Sequence, residues 1–136
     1  MKLSSFRWRD QLVPLVDSSA CAAYRKELRS RTALQDEAFY QHFYASRNIT
    51  KDMPIRLRKL LATWIDKLLW KVHPEDEFAR VNDELDLWEV LDRISKEFKV
   101  PFDSSDWKGH DSFSFDWLVQ WIQKEARSHN TPLSIS

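Results

Sequence analysis

The fold is decided by residues 83–98, which read DELDLWEVLDRISKEF. Their apolar positions recur at intervals of three and four, the spacing of one face of an α-helix, at Leu87, Val90 or Leu91, Ile94 and Phe98. Most of the other positions are charged. Because Asp83 is a residue type that caps helix N-termini, the sequence predicts an amphipathic helix from Glu84 to about Phe98.

A longer helix is predicted upstream, from Pro54 to about Val72. Asp52 is placed to cap it, and a proline is tolerated in a first turn, where its missing N–H is not needed. His73 ends the helix because a residue before proline avoids helical geometry. A broad apolar face is expected to be buried, and the basic residues are expected to lie mostly off it, namely Arg56, Arg58, Lys59 and Lys67.

Further helices are predicted on both sides of this pair. Upstream, one helix follows Ser18 to about Arg31, and another covers about residues 35–46. Downstream, a loop of about ten residues anchored by Phe78 and Val81 precedes residue 83, and a last helix begins near residue 111 or 112. No hairpin pattern occurs, so the sequence predicts an all-α protein.

Composition removes most enzyme classes. The chain of 136 residues has the length of one domain. Its single glycine, Gly109, rules out a phosphate-binding loop, a dinucleotide fingerprint and a Gly-flanked nucleophile elbow. Its single cysteine, Cys21, rules out an internal disulfide, and the four histidines lack metal-ligand spacing. We therefore expect no catalytic residues, no metal and no enzyme activity.

The location of the chain is also constrained by its sequence. Charged residues interrupt the first ten positions, where a secretory signal needs an apolar run. No stretch approaches 18 uncharged apolar residues, so no membrane span is expected. The expectation is a cytoplasmic protein without a membrane partner.

From Pro54 onward the order of elements resembles that of an acyl carrier protein, a small helical bundle that tethers acyl chains through phosphopantetheine. The likeness is sharpest at residues 83–91, DELDLWEVL, and continues through VPFD at 100–103 and SFDWLVQWI at 114–122. The resemblance implies an acyl-carrier-like four-helix bundle over residues 51–128. It leaves residues 1–50 as a helical N-terminal extension and 129–136 as a mobile C-terminal tail.

One position departs from the family pattern. The serine that carries phosphopantetheine in the family corresponds to Glu84, and a carboxylate cannot form that phosphodiester. The resemblance therefore implies a carrier fold without its cofactor. Ser112 lies in the run GHDSF, 109–113, which is similar to a carrier attachment sequence. A genuine acyl or peptidyl carrier primed with phosphopantetheine at Ser112 is the alternative, although few residues follow Ser112, and a helix cap is its simpler role.

Acidic residues at the start of the 84–98 helix are the expected binding surface. Carrier proteins meet their enzymes through such side chains, so the resemblance implies a protein partner with a basic surface. The predicted partner-binding residues are Asp83, Glu84, Asp86, Trp88, Glu89 and Asp92. Without the resemblance, the same carboxylates are explained as a solvated face whose first turn suits the helix dipole.

The basic N-terminal half supports a different alternative. Residues 1–72 hold 14 Lys and Arg against 7 Asp and Glu, and residues 73–136 hold the reverse. The basic half could belong to a small nucleic-acid-binding protein or enzyme, or could simply attract the acidic half. The net charge of zero and the lack of a nucleic-acid motif disfavour nucleic acid. The sequence leaves the partner's identity, the oligomeric state and the packing of the N-terminal helices open.

Overall fold

The structure is a computed structural model that describes residues 18–82, 84–101 and 113–128. Over these ranges the regular structure is entirely helical and contains no strand, which confirms the all-α prediction there. The α-helices are α1 (Ser18–Ser30), α2 (Asp36–Phe43), α3 (Asp52–Trp64), α4 (Leu87–Phe98) and α5 (Phe115–Ser128). Two short 3-10 helices lie between α3 and α4, namely η1 (Lys67–Lys71) and η2 (Phe78–Val81).

The prediction of one helix to Val72 was wrong, because α3 ends at Trp64. Asp66 has an extended backbone, and its side chain accepts a hydrogen bond from the N–H of Leu68 at 2.9 Å. An aspartate that binds its own downstream backbone in this way competes with the helical ladder. The chain therefore restarts as η1. At the other end, Lys51 occupies the N-cap position and Asp52 is the first residue of α3.

The start of α4 also differs from the prediction, since the helix begins at Leu87 rather than Glu84. Asp86 is the cap: its Oδ1 accepts hydrogen bonds from the N–H groups of Trp88 at 2.9 Å and Glu89 at 3.4 Å. Asp83, the predicted cap, lies outside the described residues. The apolar face was predicted correctly, because Leu87, Val90, Leu91, Ile94 and Phe98 are all buried.

Helix α5 begins later than predicted, at Phe115. The hydroxyl of Ser114 accepts a hydrogen bond from the N–H of Trp117 at 3.0 Å and so caps the first turn. The backbone N–H of Phe115 donates to the carbonyl of Asp76 at 3.0 Å, and that of Asp116 donates to the carbonyl of Pro74 at 2.8 Å. The first two residues of α5 are therefore hydrogen-bonded to the turn that follows η1.

The N-terminal helices pack on the rest of the chain. Helix α1 lies against η1 and η2, and α2 lies against α3. Buried side chains from all these elements join one hydrophobic cluster, from Cys21 and Leu28 through Leu57 and Phe78 to Ile122. The packing of α1 and α2, which the sequence left open, is thus intramolecular.

Arg58 contradicts the expectation that the basic residues of α3 lie off its buried face, because only 1% of it is exposed. Its guanidinium donates to the carbonyls of Leu34 at 2.8 Å and Trp70 at 3.1 Å, and to Asp36 at 2.7 Å. It also lies over the ring of Phe39, with 4.4 Å between the guanidinium carbon and the ring centroid. Arg58 thereby connects α3 to the start of α2 and the end of η1.

Candidate functional site

Three of the predicted partner-binding residues line one groove of about 380 Å³ where α3 ends and α4 begins. They are Glu84, Asp86 and Glu89. We call this groove the acidic groove, and its remaining lining residues are Trp64, Ile65, Asn82 and Leu85. The groove therefore combines carboxylates from one segment with an aromatic and an aliphatic side chain from another.

Local hydrogen bonds position these carboxylates. The Asn82 side chain accepts a hydrogen bond from the N–H of Glu84 at 2.9 Å, which forms a turn two residues before the cap. Asp86 is partly buried because its carboxylate holds the first turn of α4. Glu84 and Glu89 are exposed on either side of it. Two side chains are thus presented to solvent, and the third supports the helix.

Among the described residues that line it, the acidic groove has one sign of charge, since they include three carboxylates and no lysine or arginine. The end of α3 supplies Trp64, which is partly buried. The Arg93 guanidinium lies over its indole ring, 5.5 Å from the centroid. An arginine of this chain already uses the ring as a cation–π partner. The arrangement suits a cationic group that approaches the glutamates beside an apolar wall.

Two other predicted site residues that the structure describes, Trp88 and Asp92, are not among the groove's lining residues. Asp92 lies further along α4 and forms an ion pair with Lys96 at 3.0 Å. Trp88 is partly exposed, as is Trp117, whose ring packs against Phe113. Asp83 and Ser112 lie outside the described residues, so the alternative attachment point has no structural description.

The described residues contain no group of three or more His, Cys, Asp or Glu side chains arranged to hold a metal ion. None of their helices has the length and apolar character required to cross a membrane. Cys21 is buried, as is common for a cysteine that packs as a small apolar side chain.

Several basic residues in the described part of the first half form ion pairs within the molecule. Arg25 contacts Asp66 at 2.6 Å, and Lys51 pairs with Glu37. Three further pairs join the basic half to the acidic half, namely Arg31–Asp76, Arg47–Asp116 and Arg56–Glu97. These contacts favour mutual attraction of the two halves as the reason for the charge asymmetry.

Asp76 is the centre of a buried polar cluster that was not predicted from the sequence. Its carboxylate accepts hydrogen bonds from the Tyr24 hydroxyl at 2.9 Å, from Arg31 at 2.5 Å and from the N–H of His73 at 3.0 Å. Burial and the adjacent carboxylate raise the pKa of Tyr24 well above its ordinary value. Tyr24 therefore stays protonated as a donor, and the cluster ties α1 to the turn before η2.

Asp116 forms a second cluster of the same composition at the start of α5. It accepts a hydrogen bond from the buried Tyr44 hydroxyl at 2.9 Å and contacts Arg47 at 3.0 Å. Burial is the larger cause, and the negative charge of Asp116 the second cause, that raises the pKa of Tyr44 well above its ordinary value. Both clusters join segments that are distant in the sequence.

Comparison of the chain with protein-family models, with curated proteins and with solved structures gives no match in any of the three.

Proposed function

We propose that this protein is a non-catalytic, acyl-carrier-like interaction module that docks a basic surface of a partner protein in the acidic groove. The observation that carries the proposal is the convergence of Glu84, Asp86 and Glu89 on one groove beside Trp64 and Ile65. The carrier-like part of the proposal rests on the sequence resemblance.

Charge gives the groove its selectivity. Glu84 and Glu89 are exposed, so a partner's lysine or arginine can reach them. Complementary charge raises the association rate more than the affinity, and added salt weakens it because the Debye length is only about 8 Å at physiological ionic strength. Trp64 and Ile65 supply the apolar contact that a charged rim lacks, and aromatic residues are frequent anchors in protein interfaces.

The order of elements supports the carrier-like part of the proposal. Helix α3, which is shorter than predicted, is followed by an extended connection that includes η1 and η2, then by α4 and finally by α5. Glu84 lies in an exposed turn just ahead of α4. This is the position at which the resemblance places the family's serine, so the proposed module keeps the docking helix and lacks the attachment point.

Charge reversal at the groove tests the docking proposal. Replacing Glu84 and Glu89 together by lysine should weaken binding of a lysine- and arginine-rich peptide at least tenfold, since it changes two attractive contacts into repulsive ones. Fluorescence anisotropy with the labelled peptide, at low and at physiological salt, measures the effect. Both glutamates are exposed, so thermal unfolding should show only a small loss of stability from the changed first turn.

The matched control replaces Glu75 and Glu77 by lysine. Both are exposed and neither lines the acidic groove, yet the net charge changes by the same amount. Glu77 contacts Arg80 at 3.3 Å, an exposed pair of little energetic weight. Equal weakening by the two double variants would show that only total charge matters, and the docking proposal would then fail.

Restoring a serine tests the carrier-like part separately. Glu84→Ser, incubated with a phosphopantetheinyl transferase and coenzyme A, should gain the mass of one phosphopantetheine group, whereas the unaltered chain should gain none. Intact-protein mass spectrometry gives the result. An unmodified Glu84→Ser variant would contradict the carrier-like fold, and an adduct on Ser112 of the unaltered chain would replace this proposal with the genuine carrier.

A further inference from the structure

Trp64 gives the acidic groove a means of distinguishing arginine from lysine. The two side chains carry the same charge, so the carboxylates of the groove attract both of them. They differ beside an aromatic ring, because a guanidinium is planar and weakly hydrated, whereas an ammonium is compact and strongly hydrated. A choice between the two basic side chains therefore depends on the ring and not on the glutamates.

The indole ring of Trp64 already accepts a guanidinium of this chain. Arg93 lies over it, with 5.5 Å between the guanidinium carbon and the ring centroid. Arg93 is not among the residues that line the groove, so it does not cover the part of Trp64 that does. The cation–π contacts among the described residues all use arginine and none uses lysine.

The charge at Glu89 is available to a ligand. Its side chain is exposed and lines the groove, and the ion pairs within the described part of the chain do not include it. Arg93 follows Glu89 by one turn of α4 but contacts Trp64 instead. The groove of about 380 Å³ also has room for a side chain to enter between the ring and the carboxylate.

We propose that the acidic groove selects an arginine side chain of the partner protein over a lysine, and that Trp64 determines this selectivity. The guanidinium lies against the indole ring while its N–H groups donate to the carboxylate of Glu89, a combination that one ammonium group reproduces poorly. This inference rests on the proposed function, since it specifies which basic side chain docks in the same groove.

Two labelled peptides of the same sequence, with arginine or lysine at every basic position, test the selectivity by fluorescence anisotropy. At physiological salt the arginine peptide should bind about fivefold more tightly. Trp64→Leu should weaken binding of the arginine peptide about fivefold and leave the lysine peptide nearly unchanged, because no charge is altered. Trp64→Phe keeps a ring that attracts cations less strongly than indole, so it should give an intermediate ratio. Thermal unfolding establishes that each variant is folded.

Trp70→Leu is the matched control and should keep the fivefold ratio. Trp70 is also partly buried and has the Arg58 guanidinium over its ring at 5.3 Å, but it does not line the acidic groove. Equal affinities of the two peptides for the unaltered chain would overturn the selectivity, as would a fivefold ratio that persists in both Trp64 variants. Displacement of the arginine peptide by an equal concentration of free arginine would also overturn it, because the amino acid alone would then be the ligand.

The selectivity and the docking proposal can fail separately. If both peptides bind equally and both are weakened by the double replacement of Glu84 and Glu89 by lysine, docking stands and the role of Trp64 is wrong. If neither peptide binds the unaltered chain, both proposals are wrong.

Discussion

Replacing Asp76 by alanine should lower the free energy of unfolding by about 3–5 kcal/mol, the range measured when one partner of a buried ion pair is removed. The Asp76 side chain is only 7% exposed, and that of Arg31 is 13% exposed. The alanine variant leaves a shielded guanidinium without its main counter-charge. It also removes the acceptor for the Tyr24 hydroxyl and the His73 N–H.

The backbone carbonyl of Asp76, which the alanine variant keeps, accepts a hydrogen bond from the N–H of Phe115. Loosening the turn around residue 76 should therefore also loosen the start of α5. Urea unfolding followed by circular dichroism measures the change. The control is Glu75→Ala at the neighbouring exposed position, which should change stability by less than about 0.5 kcal/mol. A variant at Asp76 that unfolds like the control would show that the buried cluster does not hold α1 to the turn before η2.

Replacing Arg58 by methionine should cost about 3 kcal/mol. The substitution keeps a long apolar side chain against Phe39 but leaves the carbonyls of Leu34 and Trp70 without their donor. Each unsatisfied buried carbonyl costs about 1–3 kcal/mol. The Asp36 side chain is 55% exposed and is solvated when Arg58 is lost, so it adds little to this cost.

Lys59→Met is the matched control for Arg58→Met. Lys59 is the next residue of α3 and is exposed, so losing its charge should change stability by less than about 0.5 kcal/mol. Arg58→Lys should also be destabilised, because one ammonium group cannot reproduce the fork that reaches two carbonyls and a carboxylate. Equal unfolding midpoints for Arg58→Met and Lys59→Met would contradict the structural role assigned to Arg58.

The structural features that depend on the local pattern of apolar and capping residues were predicted from the sequence. The buried face of α4 followed from apolar spacing, and the extent of α1 and the burial of Phe78 and Val81 also agree with expectation. Helix boundaries were less predictable. Asp83 was the predicted cap of α4, whereas Asp86, which has the same side chain, accepts the capping hydrogen bonds.

Contacts between segments that are distant in the sequence account for the other differences between the sequence predictions and the structure. Glu84, Asp86 and Glu89 were expected to lie together because they flank one helix start, whereas the contribution of Trp64 depends on how α3 packs near α4. No local sequence pattern indicated the role of Asp76, because its partners Arg31 and Tyr24 are 45 and 52 residues away in the sequence. The burial of Arg58 was indicated by its position in the sequence, because it shares a helical face with the buried Pro54, Leu57 and Leu61.

Docking of a basic peptide in the acidic groove can be tested by mapping the contact surface of the bound peptide. Isotope-labelled protein is titrated with the lysine- and arginine-rich peptide, and backbone amide shifts are followed by NMR at two salt concentrations. We expect the changes in amide chemical shift to be concentrated at residues 64–65 and 82–89 and to become smaller as the salt concentration increases. Changes spread evenly over the surface, or centred on other residues, would contradict docking at the acidic groove.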